Sequence, residues 1–238
     1  MDLDGKVVLI TGASSGIGAA TARLARAHGA HLVLAARRAE RLAALAEELG
    51  DALSIPTDMR RPSEVRAMVD AACAAFGGVD VLVNNAGQGL HVPVLEIELD
   101  DLIAVTELNV YGPLVAMQAG VPTMRGRGGG SIVNVSSGTT LMVPVGTGGY
   151  TATKAALNVL SRTARAELAD EKIIVSTVYP FVTATEFHST LRAGAGPGRR
   201  PGFEPHPPEL VAEAIIDLVR TGEEEAILIP ERARGPRR

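Results

Sequence analysis

The feature that most restricts the fold is a glycine-rich turn held between two apolar segments near the start of the chain. Lys6-Val7-Val8-Leu9-Ile10-Thr11 has the length and composition of a buried strand. It runs into Thr11-Gly12-Ala13-Ser14-Ser15-Gly16-Ile17-Gly18, and an amphipathic helical pattern follows to about residue 29. Glycines let the backbone turn sharply and pass close to a ligand. The free N–H groups of a helix start favour phosphate. A Gly-x-x-x-Gly-x-Gly turn joining a first strand to a first helix therefore predicts a dinucleotide site built from Gly12, Ser14, Ser15, Gly16, Ile17 and Gly18.

The rest of the chain keeps the alternation. Strand patterns occupy residues 31–36, 53–56, 79–84, 131–135, 173–179 and 226–229, and helical patterns fill the gaps between most of them. Pro62 opens the helix that runs to residue 76, a position where its missing N–H costs nothing. One long helix is predicted over 99–124, with Asn109 near its middle, and another from Tyr150 to about residue 170. With no linker and no repeat, this reads as a single α/β domain. It is Rossmann-like and doubly wound, with a mostly parallel seven-stranded sheet and helices on both faces. The Gly- and Pro-rich stretch 193–208 reads as a mobile loop, and 231–238 as a frayed basic tail.

Charge and composition exclude several functions. At 238 residues with a formal net charge of -4 and no basic stripe, nucleic acid is not an expected partner. One cysteine, Cys73, rules out an internal disulfide. No metal site is expected. No apolar run reaches the roughly 18 residues of a membrane span, and no basic n-region precedes an apolar run, so the expected setting is cytoplasmic without membrane contact. Aromatic residues are only 3% of the chain, so alanine and the aliphatic residues must carry the core.

Two further signals carry chemistry. An acidic residue at the end of the second strand would accept a free ribose 2′-hydroxyl, but here stand Arg37 and Arg38, which suit a 2′-phosphate. Glu40 is placed to neutralise one of them. NADP(H) is therefore expected, with NAD(H) as the second option. Tyr150 and Lys154 are spaced to share one helix face. A phenol titrates near ~10, and a nearby cation favours its anion. The pair is a candidate acid/base device.

Together, Thr11-Gly12-x-x-x-Gly16-x-Gly18, Asn84-Asn85-Ala86-Gly87, Asn109, Ser137 and Tyr150-x-x-x-Lys154 resemble the short-chain dehydrogenase/reductase family, over residues 5 to about 185. The short length and glycine spacing resemble its compact branch. The resemblance implies an oxidoreductase whose catalytic set is Asn109, Ser137, Tyr150 and Lys154. It implies that Asn84 to Gly87 stabilise the sheet and that Asn85, Ala86 and Gly87 line the adenine-ribose side of the cofactor. Asp58 would bind the adenine amino group, and Lys154 the nicotinamide ribose beside Tyr150. Asn109 would kink its helix and hold a water linking Lys154 to solvent. After the sixth strand the family usually has Pro-Gly, whereas this chain reads Pro180-Phe181-Val182-Thr183-Ala184-Thr185. Phe181 implies that a glycine-only backbone angle is not used there, while Pro180, Thr183 and Thr185 remain cofactor contacts.

Hydride transfer to a ketone builds negative charge on oxygen. Tyr150 would supply the proton and Ser137 would polarise the carbonyl. To act near neutrality the phenol must fall by about 3 pKa units, or about 4 kcal/mol, with Lys154 and the oxidised nicotinamide as sources. Apolar segments around the site predict a small-molecule carbonyl compound or secondary alcohol with a largely hydrophobic body. Candidate contacts are Gln88, Thr139, Leu141, Val143 and Phe187. His91 and His188 are possible polar contacts, with a surface role the expectation for both. The helices around Asn109 and after Tyr150 resemble the family's subunit interface, so a homotetramer or homodimer is expected. A non-catalytic NADP(H)-sensing regulator is the alternative, and its signature would be a broken catalytic set. A methyltransferase on a similar sheet would have no need of Tyr150 and Lys154.

Overall fold

A computed structural model describes residues 1–50, 52–196 and 204–230. The expected tail at 231–238 and the centre of the 193–208 loop lie outside the described residues. Seven strands, β1 (Val7–Thr11), β2 (His31–Ala36), β3 (Ala52–Pro56), β4 (Val81–Asn84), β5 (Gly130–Val135), β6 (Ile173–Tyr179) and β7 (Glu225–Ile227), form one sheet in the order β3-β2-β1-β4-β5-β6-β7. Every pairing is parallel, not merely most of them. The order reverses between β1 and β4, and a crevice opens there at the carboxyl ends of the strands.

The central strands are buried on both faces, which is why they read as unbroken apolar runs. Successive side chains still alternate. Val8, Ile10, Leu32, Leu34 and Val83 pack under α1 (Gly16–Ala27), α2 (Ala39–Leu49) and the final helix, with Ala22, Ala25, Leu42, Val211 and Ile215. Val7, Leu9, Val33, Leu82 and Ile132 pack on the other face against α3 (Pro62–Phe76) and the 112–126 helix, with Val65, Met68, Ala116 and Met124. Asp80 ties this frame together. Its carboxylate accepts the Val7 N–H at 2.8 Å and is forked by Arg127, both bonds 2.8 Å.

The predicted helix over 99–124 is three segments: α4 (Leu99–Thr106), a π turn (Glu107–Tyr111) and α5 (Gly112–Gly126). The cause lies in Pro113 as much as in Asn109. Proline lacks the N–H that would bond the carbonyl four residues back, that of Asn109, and its ring crowds the same carbonyl. The chain loosens to an i→i+5 bond from Gly112 N–H to the Glu107 carbonyl. A short helix, α6 (Thr139–Met142), precedes α7 (Gly148–Glu167), and α8 (Pro208–Thr221) closes the fold. α6 carries no periodic signal, and it ends at Val143 in the left-handed region (φ 46°), which a β-branched residue rarely adopts. β4 starts two residues later than predicted, and the final strand is Glu225–Ile227 instead of 226–229.

Candidate active site

Tyr150 and Lys154 lie on the first turns of α7, and a buried polar ladder fixes that helix against the sheet. Asn84 Nδ2 donates to Asn134 Oδ1 (2.8 Å), Asn134 Nδ2 to Ser161 Oγ (2.8 Å), and Ser161 Oγ to the Leu157 carbonyl (2.7 Å). The ladder joins β4, β5 and α7, and every polar atom in it but Asn84 Oδ1 has a partner. Sequence reasoning gave Asn84 a sheet-stabilising role but missed Asn134 and Ser161. Their only signal is a polar residue in an otherwise apolar strand or helix face.

Tyr150 is 6% exposed and Lys154 3%. The Ser137 side chain lies beside the phenol and acts to lower its pKa. Ser137 Oγ in turn accepts the Thr139 N–H (3.2 Å) and the Thr139 hydroxyl (3.0 Å). With both acceptor sites of Ser137 engaged, its own proton is left to be donated toward the phenol. Lys154 Nζ donates to the Val135 carbonyl at the end of β5 (2.8 Å). The backbone of Gly87 lies against both Lys154 Nζ and Asn109 Oδ1, where a Cβ would come within 3.3 Å of each.

Asn109 is wholly buried. Its Oδ1 accepts the Gln88 N–H (3.0 Å), and its Nδ2 donates to the Gln88 carbonyl (2.9 Å) and to Thr153 Oγ1 (3.0 Å). Its side chain therefore clamps the 87–88 backbone to α7 beside the pair. Its backbone carbonyl is the one that Pro113 cannot bond.

The electrostatics correct one expectation. Burial pushes the Tyr150 phenol up to about 12, opposed by the neighbouring Ser137 hydroxyl. Burial also brings the Lys154 ammonium down to about 8. Lys154 is not among the groups that lower the phenol. Desolvation, which disfavours the anion, outweighs the cation the sequence places nearby. The protein's own groups thus hold Tyr150 as a protonated acid.

A cleft of about 1630 Å³ runs from the glycine turn to this pair along the carboxyl ends of the strands. Of the predicted cofactor residues, Gly12, Ser14, Ser15, Gly16, Ile17, Arg37, Arg38, Asn85, Ala86, Gly87, Tyr150, Lys154, Pro180, Thr183 and Thr185 line it. Gly18 and Asp58 do not. Gly18 is required by the turn itself, because a Cβ there would sit 2.4 Å from the Gly12 carbonyl oxygen. Asp58 is forked by Arg60, which holds its carboxyl below the usual range, while Thr57 and Met59 face the cleft.

The residues fit a dinucleotide. The first turn of α1 carries no acidic side chain, and Ser15 makes no side-chain cap bond there. The orphan N–H groups of that turn thus remain an anion site. Arg38 donates to Ser14 Oγ (3.1 Å) and Ser15 Oγ (2.6 Å) beside it. The acid that neutralises Arg38 is Glu186 (2.8 Å), not Glu40. Phe181 avoids positive φ, as its size requires, and its ring packs 5.8 Å from His206.

At the substrate end Thr139 and Phe187 line the cleft, but Gln88, Leu141 and Val143 do not. The Gln88 amide donates to the Thr190 carbonyl (2.7 Å). Leu141 and Val143 are 46% and 68% exposed, whereas Met142 and Pro144 of the same segment line the cleft, as does Val145, which is itself fully exposed. His91 and His188 also line the cleft, against the surface role expected of them. Residues 191–194 fold over His91 through its N–H to the Ala193 carbonyl (3.0 Å). The imidazoles lie 5.8 Å apart, with His91 6.1 Å and Phe187 5.5 Å from the Tyr150 ring. Burial lowers both histidines from their ordinary range.

Comparison with known proteins bears on the fold and the family. A family model described as short chain dehydrogenase matches residues 6–196. An "uncharacterized oxidoreductase" of Staphylococcus aureus is 33% identical over 216 residues, 90% of each chain. A fatty acyl-CoA reductase of Mycobacterium tuberculosis is 35% identical over 207 residues, 82% of this chain and 69% of its own length. Among solved structures, a 3-ketoacyl-(acyl-carrier-protein) reductase from Brucella melitensis complexed with NADH superposes with TM-score 0.88 at 29% identity, covering 97% of this chain and 99% of that one. L-Sorbose reductase from Gluconobacter frateurii, complexed with NADPH and L-sorbose, gives 0.86 at 30% identity over 96% and 97%.

Proposed function

The chain belongs to the short chain dehydrogenase family, and on that premise we propose that it transfers a hydride between NADP(H) and a carbonyl compound or secondary alcohol with a largely hydrophobic body. The observation that carries this reading is the buried Tyr150, with Ser137 beside it and Lys154 one turn behind, at the end of a cleft that starts on a phosphate-type turn. Bound there, the nicotinamide would supply or accept the hydride. Tyr150, held protonated, gives its proton to the developing alkoxide. Ser137 donates to the same oxygen and lowers the cost of its charge. Lys154 keeps a cation behind the phenol, and Asn109 keeps the 87–88 backbone and α7 in register.

Arg37, Arg38 and Arg41 at the end of β2 and the start of α2 support NADP(H) over NAD(H). The neighbours bind cofactors of both kinds, so kcat/KM with NADPH against NADH decides, and a clear NADH preference would sink this part. Met142, Pro144, Val145 and Phe187 on the walls support an apolar body. Exposed Leu99, Ile103, Tyr111 and Val159 on the α4–α5 rod and α7 support a homodimer or homotetramer, to be read by light scattering. No helix among the described residues is long and apolar enough to cross a membrane, and one cytoplasmic domain carrying both sites completes the reading. Tyr150→Phe should keep NADPH binding and lose turnover with a panel of ketones. Substantial residual reduction by that variant would refute the assignment.

A further inference from the structure

One carboxylate occupies two arginines at the adenosine end of the cleft. Glu186 Oε2 accepts from Arg38 Nη1 at 2.8 Å, and both of its oxygens accept from Arg41 Nη1 at 2.8 Å. The remaining Arg38 nitrogens are held by Ser14 and Ser15, so the anion sits beside the first turn of α1. Glu186 comes from far along the chain and opens a 3-10 turn, Glu186–Ser189. Thr185 caps that turn by accepting the Phe187 N–H (3.3 Å), and its methyl group lies over Gly16 of the phosphate turn. The next residue, Phe187, packs 5.5 Å from the Tyr150 ring. A four-residue element therefore has its carboxylate on the arginines and its ring on the catalytic phenol.

We propose that Glu186 is a cofactor-specificity residue whose carboxylate competes with the cofactor 2′-phosphate for Arg38 and Arg41, so that NADP(H), but not NAD(H), releases the Glu186–Ser189 turn from the arginines. The proposal rests on the NADP(H) reading above. Carboxylate and phosphate monoester are alternative partners for the same guanidinium fork. The phosphate brings more charge and a third acceptor oxygen. All three side chains of the clasp are 39–51% exposed, so the ion pairs are weak enough to exchange. A ribose 2′-hydroxyl has no charge with which to displace Glu186, and the clasp stays closed over NAD(H). Glu186 thus costs affinity for the phosphorylated cofactor and none for the other.

Calorimetric titration of the full chain and of Glu186→Gln tests this, with NADP, NAD, adenosine 2′,5′-bisphosphate and 5′-AMP as ligands. The variant should bind NADP and the bisphosphate about three- to tenfold more tightly, the range set by exposed ion pairs, and NAD and 5′-AMP within about twofold of the parent. An unchanged or weaker NADP Kd in the variant overturns the competition and leaves the NADP(H) reading standing. A variant that loses NAD affinity instead makes Glu186 a ribose-hydroxyl acceptor, which also overturns it. If the unaltered chain binds neither dinucleotide, the reading and the inference fall together.

Discussion

Replacing Thr139 by valine keeps the shape of a half-buried side chain and removes one hydroxyl. That hydroxyl donates to Ser137 Oγ at 3.0 Å, alongside the Thr139 N–H at 3.2 Å. The two bonds fill the acceptor sites of Ser137 and aim its proton at Tyr150. Without the hydroxyl, Ser137 keeps the backbone bond but gains a competing orientation. A neutral hydrogen bond contributes about 0.5–1.5 kcal/mol net. At about 1.4 kcal/mol per tenfold, kcat should fall about two- to tenfold. The backbone bond survives the change and the site is not in the core, so stability should hold. The assay is kcat and KM for a reducible ketone at saturating NADPH, with NADPH affinity measured separately and expected to stay constant. Thr139→Ser, which retains the hydroxyl, should recover the rate. A Thr139→Val enzyme with unchanged kcat, or a Thr139→Ser enzyme as slow as it, would show that Thr139 does not orient the serine.

Two other perturbations read the electrostatics of the frame and of the site. Arg127 and the Val7 N–H hold the Asp80 carboxyl below its ordinary range against the cost of burial. Its folded pKa lies under the unfolded one, so the stabilisation is present above about pH 4 and is lost as pH falls through the folded value. Urea unfolding should therefore show Arg127→Ala well below the parent at pH 7, with the gap closing in acid. A gap independent of pH would refute the pairing as its source. Lys154 titrates at about 8 in the fold, against an ordinary value of 10.5. Between those values the unfolded chain binds the extra proton, so stability rises with pH across that window. Lys154→Met should flatten the rise between pH 8 and pH 10 in denaturant titrations, and an identical slope in both proteins would count against a buried ammonium.

Local pattern carried the sheet. The central strands announced themselves as short apolar runs because they are covered on both faces, and the glycine turn was legible because its backbone demands are local. Pro113 was equally visible, but reading it as the partner of Asn109 needs the helix geometry that puts its missing N–H opposite that carbonyl. The substrate wall failed for a similar reason. From 139 to 145 no period decides which side chains face inward, and the α6 turn with Val143 in the left-handed region selected Met142, Pro144 and Val145 over Leu141 and Val143. His91 and His188 read as surface residues because nothing in the chain says that 191–194 folds over His91 and that Gly196 lies against His188.

By itself, the sequence determined the order of strands and helices, the phosphate turn and the pairing of Tyr150 with Lys154 on one helix face, since these depend on spacing within one element or one turn; Asn109 and Ser137 joined the candidate set through the family resemblance. Only the tertiary structure decided what each of them feels. Desolvation at the floor of the cleft sets the phenol at about 12 in spite of Lys154. Glu186, 148 residues from Arg38, supplies the counter-charge that Glu40 was placed to give. Both are effects of distance through space, and burial and charge pairing are summed over neighbours that chain position does not reveal.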